Sequence, residues 1–502
     1  MLKKIFKTNN NIKGLQIKPS LNAASLDIEK IDFIEKLVYP LEDSKFNYYT
    51  PTVKTGDRVK KGQVIAVAEN AHGLKILASA EGTIKGIETV KAPLPQKLAD
   101  ALVIEPINKT YTFEDAIFNN DVVLSEFPKE LIFQSIVQAN IQGLGGGLFL
   151  AAKKLLSSDK IDHILLNAVE CEPILNCDEA LLTHYLAECL AGGLFLQKAA
   201  NAKTITIVLK ENKTDLINHI KHFVKNNEQF NNIAVATVPD LYPAGAEKEI
   251  LKHVFNKPLK AKDISTNHGY LMNNIMTAVS IFRAVAIQAP QLERVFSVFG
   301  KNIENPKNIL APIGTTAEDL LRFAQIDATE IDSIRVGGLM MGEDITTETN
   351  IKTTALLKSS NGVILNTKED KKTVECINCG ECSKVCPVNL VPNKMFKAGQ
   401  ADDFANRFFK NLDECMFCNL CNYVCPSYID LVGMFKYSRQ QIQLIEQEKQ
   451  RADYINKLTA KKRDREEAEK LEKERIKLER KLAREKRLAE KAKKEAVENA
   501  ES

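Results

Sequence analysis

Tryptophan is absent from the 502 residues, and histidine is scarce at seven. With so little imidazole, and no Ser/His/Asp or Cys/His arrangement, nucleophilic catalysis finds no machinery here. Long apolar runs are missing as well. A membrane-spanning helix needs roughly 18 to 20 apolar residues. The best stretch, AVSIFRAVAIQA at 278–289, is short and carries Arg283, so a buried helix is expected there. The start, MLKKIFKTNNNIK, turns polar before a signal-peptide apolar core develops. The expectation is a cytoplasmic chain that meets a membrane only through partners. A strong net charge is lacking too. The total is +4, and residues 451–502 alone hold 18 Lys/Arg against 13 Asp/Glu, which leaves the remainder at −1. A near-neutral body and an aromatic-poor tail offer nucleic acid neither a field nor a stacking surface, and no such partner is expected.

Cysteine is modest and odd in number at eleven, yet eight sit in two runs, CINCGECSKVCP at 376–387 and CMFCNLCNYVCP at 415–426. Each reads C-x2-C-x2-C-x3-C-P. Without a secretion signal, that spacing points to metal rather than disulfides. A C-x2-C-x2-C loop wraps three thiolates around one face of an iron–sulfur cubane. In two-cluster bacterial ferredoxins the fourth cysteine of each run crosses to the other cluster. On that logic Cys376, Cys379, Cys382 and Cys425 hold one [4Fe-4S] cluster, and Cys415, Cys418, Cys421 and Cys386 hold the second. Zinc also uses C-x2-C pairs, but it takes four ligands per ion and gives no reason for a third cysteine or a repeated Cys-Pro ending. Cys171, Cys177 and Cys189 lack cluster spacing and read as core packing.

Ahead of these runs the pattern changes twice. Residues 51–88 place short Val/Ile-rich strands between Gly56-Asp57, Gly62 and Glu81-Gly82, which suits hairpins in a small antiparallel barrel. They resemble the sandwich hybrid of biotinyl and lipoyl carriers. Ala71 stands where a carrier has its modified lysine, so a swinging-arm cofactor is not expected. From about 125 to 290 helical stretches alternate with buried strands (IDHILLNA, KTITIVLK, NIAVATV), the pattern of an α/β layer with a largely parallel sheet. Helices are expected at LIFQSIVQANIQ, AEKEILKHVF and LMNNIMTAVSIFRAVA. After 290 short strands return.

Within the α/β stretch, IQGLGGGLFLAAKK at 141–154 frees the amides of Gly143, Gly145, Gly146 and Gly147 ahead of a helix. Such a loop can cradle a phosphate or serve as a plain connection. It is not the G-x-G-x-x-G fingerprint, whose third glycine falls on Leu148. Next, LLNAVECEPILNCDEALL carries Asn167, Glu170 and Glu172 to a strand end, where open α/β sheets bind ligands, although such acids also occur as surface charges. YPAGAEKEIL sets Gly245 and Glu247 at a helix mouth, and Asn274 either joins a site or caps the next helix.

GDRVKKGQ, GLGGG, NAVECEPILNCDE, YPAGAEK, GGLMMGE and both cysteine runs, in that order over residues 40–440, resemble the C subunit of Rnf-type ion-translocating electron transport complexes. The resemblance implies a middle domain similar to the NADH- and FMN-binding subunit of respiratory complex I. Its flavin site would be built from Gly143, Gly145, Gly146, Lys154, Asn167, Glu170, Glu172, Gly245, Glu247 and Asn274. It implies NADH as hydride donor, FMN, two [4Fe-4S] clusters, and docking on integral membrane and iron–sulfur subunits at the cytoplasmic face of the inner membrane. The implied architecture is multidomain α/β plus β modules: an N-terminal segment (1–30), a barrel-sandwich hybrid (31–110), the FMN/NADH-type α/β domain (120–290), a β-grasp, SLBB-like module (291–365), a two-cluster ferredoxin-type domain (366–440) and a charged helical or disordered tail (441–502). One departure stands out. The family loop reads GGAGFPT with a lysine after two more residues. This chain reads GGGLFLA and keeps Lys154, with Leu148 in place of glycine, Leu150 of proline and Ala151 of threonine. That sets a second expectation beside the first, a non-catalytic electron conduit and assembly scaffold with a degenerate nucleotide site. A soluble iron–sulfur subunit of a hydroxyacid oxidase would explain the cysteines but not the domains before them.

Overall fold

The computed structural model describes residues 13–498 apart from 19–20, 44, 46, 71–72, 92–97, 114–117, 119–123, 158–159, 262, 302, 328–330, 346–350 and 367–371. Ala71 lies outside the described residues. Contacts divide the chain into two units, the first comprising Met1–Lys397 with Arg407–Val432, and the second Ala398–Asn406 with Gly433–Ser502.

In the first unit, the early Val/Ile-rich segments form two antiparallel sheets. One runs Leu37–Pro40, Leu98–Pro106, Gly82–Lys91, Arg58–Val59, and the other Tyr49–Pro51, Val64–Ala68, Lys75–Leu77. Ile65, Ile84, Leu102 and Ile104 pack between them. Gly82 is obligatory, because a Cβ there would lie 2.4 Å from the Ile104 side chain and 2.7 Å from the Glu105 carbonyl.

The α/β layer holds four parallel strands in the spatial order Ile233–Val238, Thr204–Lys210, His163–Asn167, Tyr270–Asn274. Their apolar runs are buried on both faces, as parallel strands require. Helices Leu186–Ala200 and Ile275–Ile287 cross closely at Gly192, where a Cβ would sit 1.8 Å from the Ala278 carbonyl oxygen. The segment expected as one helix from Leu271 is instead a strand through Asn274, followed by a helix from Ile275. Registered beside His163–Asn167, its backbone groups find partners that an extra helical turn would forfeit.

The strands after 290 join a six-stranded mixed sheet: Ile28–Lys30, Lys307–Pro312, Glu293–Gly300, Gly362–Leu365, Ile334–Val336, Glu343–Ile345. The expected boundary at residue 30 therefore cuts at a strand that pairs, Ile28 with Asn308, into a module nearly 280 residues away. Helix Ala317–Phe323 starts at Thr316, whose hydroxyl accepts the Asp319 amide. In the cysteine region, short helices Glu381–Val385 and Leu420–Tyr423 each follow the second cysteine of a run.

In the second unit, Gly399 lies against Met434 and Phe404 meets the Tyr437 ring edge-on. Helix Leu431–Glu498 continues the chain for 68 residues, roughly 100 Å at 1.5 Å per residue. From Glu446 to Lys493 its charged side chains face solvent, and some pair along the surface, as Arg475 does with Glu472 and Glu479. The expected boundary at 440 falls inside this helix.

Candidate flavin site and iron–sulfur ligands

Strand order alone marks a place. His163–Asn167 comes first in the chain, its neighbours on one side come second and third, and Tyr270–Asn274 comes fourth on the other side. Connections diverge between the first and fourth strands, and open α/β sheets bind ligands at the carboxyl ends beside such a point. Asn167 and Asn274 are register partners there. The glycine loop closes over the same point. A Cβ on Gly145 would lie 3.3 Å from the Asn274 Cβ, and the Leu144 amide donates to the Thr277 hydroxyl at 3.0 Å. Gly143 and Phe149 pair across the loop, and Gly146, at φ +85°, has open space where a side chain would stand. That open, amide-bearing turn at the switch point fits a phosphate-carrying flavin.

The other expected ligands converge on the strand ends but hold one another. Asn167 donates to the Gly245 carbonyl at 3.0 Å and accepts the Val169 amide at 2.9 Å. Gly245 must be glycine, because a Cβ would come within 2.4 Å of the Val169 carbonyl. Asn274 is both cap and ligand candidate: its oxygen accepts the Met276 amide, and its nitrogen donates to Asp178 at 2.8 Å. Lys154 reaches the Met272 carbonyl at 2.8 Å, and Glu247 accepts from the Ser265 hydroxyl. Glu170 turns inward, accepting from the Cys177 thiol at 2.8 Å and the Asp178 amide at 3.0 Å. Burial pushes the Glu170 carboxyl up, and burial plus the Glu170 charge pushes Asp178 up further, with the buried Arg294 opposing. Glu172 accepts the amides of Met340 at 2.9 Å and Met341 at 3.0 Å, an approach that only Gly338 permits. A cleft of about 230 Å³ opens beside these groups, lined by Glu170, Cys171, Lys210, Asp240 and Tyr242 among others.

The two cysteine loops repeat each other in backbone as well as sequence. Left-handed residues recur at matched positions: Asn378 and Phe417, Gly380 and Asn419, Asn389 and Tyr428. For Phe417 and Tyr428 that conformation is strained, and a loop wrapped around a fixed object accounts for holding it. None of the eight cysteines is in a disulfide. Cys418 and Cys421 each have Cys415 and Cys386 as charge neighbours, which brings the fourth cysteine of the first run beside the first three of the second. In the reverse direction, the residues after Cys425 bind those before Cys376: the Val374 amide donates to the Ser427 carbonyl at 3.1 Å, and the Ser427 hydroxyl to the Glu375 carbonyl at 3.0 Å. Eight thiols in two reciprocally linked loops are a donor set suited to two cubanes. Sequence reasoning gave GGLMMGE no structural role, yet Met340 also accepts from the Asn419 side chain at 2.6 Å, tying the second loop to Glu172. Tyr242, beside Glu172, Cys171 and Cys418, was likewise missed as an individual residue.

An open α/β sheet with a glycine loop at its switch point, joined to a paired-cysteine domain, defines an iron–sulfur electron carrier with a flavin-type domain. Family models agree. That for the RnfC barrel sandwich hybrid domain matches residues 12–109, that for the Nuo51 FMN-binding domain 136–283, and that for a 4Fe-4S dicluster domain 375–429. The C subunit of the proton-translocating ferredoxin:NAD(+) oxidoreductase complex of Clostridium ljungdahlii is 30% identical over 388 residues, covering 76% of this chain and 82% of that protein. The C subunit of the ion-translocating oxidoreductase complex of Haemophilus influenzae (strain PittEE) is 31% identical over 404 residues, 80% of this chain and 61% of its own. The chain belongs to this family, the C subunits of the ion-translocating oxidoreductase complexes. It spans about three fifths of the length of the Haemophilus relative. A chain of the NAD+-reducing [NiFe]-hydrogenase in the air-oxidized state aligns over 62% of this chain and 65% of its own at 17% identity, with a TM-score of 0.44, too loose a likeness to build on. Among the described residues no helix is long and apolar enough to cross a membrane.

Proposed function

We propose that the chain is the peripheral electron-transfer subunit of a membrane-bound complex coupling redox chemistry between NADH and ferredoxin to ion translocation. The observation that carries this is the reciprocal linkage of the two cysteine loops. Cys376, Cys379, Cys382 and Cys425 hold one [4Fe-4S] cluster, and Cys415, Cys418, Cys421 and Cys386 the other, so single electrons pass through a pair of centres in one fold. When bound at the switch point, FMN supplies the conversion between hydride and single-electron chemistry. The chain's own part is positional. Gly145 and Gly146 present amides to a phosphate, Asn167 and Asn274 fix the strand ends, Gly245 lets two backbones meet, and Glu247 and Lys154 brace the helices behind them. Glu170 and Glu172 act as buried anchors, since each already accepts two hydrogen bonds.

The finer architecture follows the same reading. Residues 31–110 form the barrel-sandwich hybrid, 120–290 the flavin domain, and 291–365, with strand Ile28–Lys30 added, a β-grasp, SLBB-like module. Residues 366–440 form the two-cluster domain and 441–502 the charged tail, helical as far as Glu498. Docking is on integral membrane and iron–sulfur subunits at the cytoplasmic face of the inner membrane, with no nucleic-acid partner.

A specific feature favours the scaffold reading as the alternative. Leu148 occupies φ +53°, where the family has glycine. Anaerobic purification with iron and acid-labile sulfide counts, EPR of the reduced protein, flavin extraction and NADH titration separates the two readings. Two cubanes with flavin reduced by NADH establish the first. Two cubanes without flavin leave the conduit. Zinc in place of iron ends both.

A further inference from the structure

The phenol of Tyr242 is 3% exposed, and its hydroxyl has no hydrogen-bond partner among the described residues. An unpaired buried hydroxyl is costly, a cost that phenylalanine at the same place would avoid. The ring packs in an apolar cluster with Met340 and Leu420, against which Cys171, Val385 and Cys418 also pack. Its backbone is fixed independently of the hydroxyl, exchanging two hydrogen bonds with Leu15 at 3.0 and 3.1 Å. The hydroxyl therefore does not hold its own segment in place.

Three acceptors neighbour it: Glu172, Cys171 and Cys418. Both Glu172 oxygens already take amide hydrogens from Met340 and Met341, and each sulfur already has a backbone partner, Gly245 for Cys171 and Leu420 for Cys418. Cys418 is the one whose electron density rises on loading, because as a cluster ligand it becomes a thiolate beside inorganic sulfide. From this and from the proposed ligand sets above, we infer that the Tyr242 hydroxyl donates a hydrogen bond to a sulfur of the cluster held by Cys386, Cys415, Cys418 and Cys421. Tyr242 is a positioning residue in this role. A hydrogen bond to sulfur stabilises the more negative, reduced cluster and so raises its reduction potential. The same placement sets this cluster beside the 337–343 segment that clasps Glu172. The Met340–Asn419 bond holds the loop in that position.

Tyr242→Phe keeps the ring and deletes the donor. The test is an EPR-monitored redox titration of anaerobically prepared full chain, with resonance Raman of the Fe–S stretching bands in H2O and D2O. The wild type should show two cubane signals, and its Raman bands should include a D2O-sensitive component. The variant, at unchanged iron content, should show one signal moved to lower potential, the other unmoved, and that component lost. Two signals at wild-type potentials, or both displaced equally, would overturn the inference while leaving the two-cluster reading intact. Absence of cubane signals from the wild type itself would instead sink the reading on which the inference rests.

Discussion

The side-chain amide of Asn419 donates to the Met340 carbonyl at 2.6 Å, and Asn419 itself holds a left-handed backbone at φ +60°. One residue thus shapes the second cysteine loop and fastens it to the 337–343 segment, whose amides clasp Glu172 at the end of the parallel sheet. Two costs can be separated by substitution. Glycine at 419 keeps the left-handed backbone and deletes two side-chain hydrogen bonds, the one to Met340 and one accepted from Asn422, about 1 kcal/mol each. Alanine deletes them and adds the left-handed penalty, about 1 kcal/mol more. Anaerobic thermal unfolding of the cluster-loaded protein should rank wild type above Asn419→Gly and Asn419→Ala lowest. Equal melting of the two variants would show that the loop does not hold that conformation in solution.

Reciprocal ligation makes a counter-intuitive demand of the cysteines. Cys386→Ala lies in the first run, yet it should remove the cluster held by the second, and Cys425→Ala should do the converse. Each variant should lose roughly half the iron and sulfide, and the double variant nearly all. EPR of the reduced single variants should show different surviving signals. If both fourth-position variants retain full iron, ligands do not cross between the loops.

What the sequence disclosed follows from how local each signal is. The cysteine runs carry their spacing within twelve residues, so the donor set is legible outright. The alternating α/β stretch is legible by its apolar runs. LMNN before the helix at Ile275 is not, because two apolar residues followed by two asparagines suit a strand end or a first helical turn equally until the neighbouring strand is known. Strand Ile28–Lys30 is three residues long and pairs with Asn308–Leu310, which no local pattern announces. The acids of ECEP were visible as candidates, but their direction was not. Glu170 turns back onto Cys177 and Asp178, seven and eight residues on, and Glu172 faces amides about 170 residues downstream, so neither direction follows from the strand pattern. Tyr242 became visible only when burial exposed its unpaired hydroxyl.

The Glu170–Asp178 pair sets the sign of a pH response. Both carboxyls are raised by burial, and Asp178 further by its neighbour's charge. Above the ordinary carboxylate range, the folded chain then binds more protons than the unfolded one, so the stabilisation they provide is full below that range and lost as pH rises through the raised folded values. Denaturant unfolding of the flavin-free protein should therefore show stability falling with rising pH in this window. Asp178→Asn should flatten the slope, while Asn274 can still donate to the new side-chain oxygen. A slope unchanged in the variant would assign the response to other groups.

Leu148 decides between the two functional readings, and its geometry makes a definite forecast. Its side chain is buried and lines a cavity with Tyr39, Tyr49 and Ile313, whereas the loop's contact with Asn274 is made by Gly145. Leu148→Gly should release left-handed strain worth about 1–2 kcal/mol and forfeit burial worth roughly 2–3 kcal/mol. The net effect is a loss of about 1 kcal/mol, seen as a small drop in melting temperature. Because the side chain points into that cavity, flavin content after reconstitution with FMN should match the wild type. A several-fold rise in flavin occupancy would mean that Leu148 does crowd the ligand, and would move this chain from an NADH-coupled subunit toward a conduit that has lost its nucleotide site.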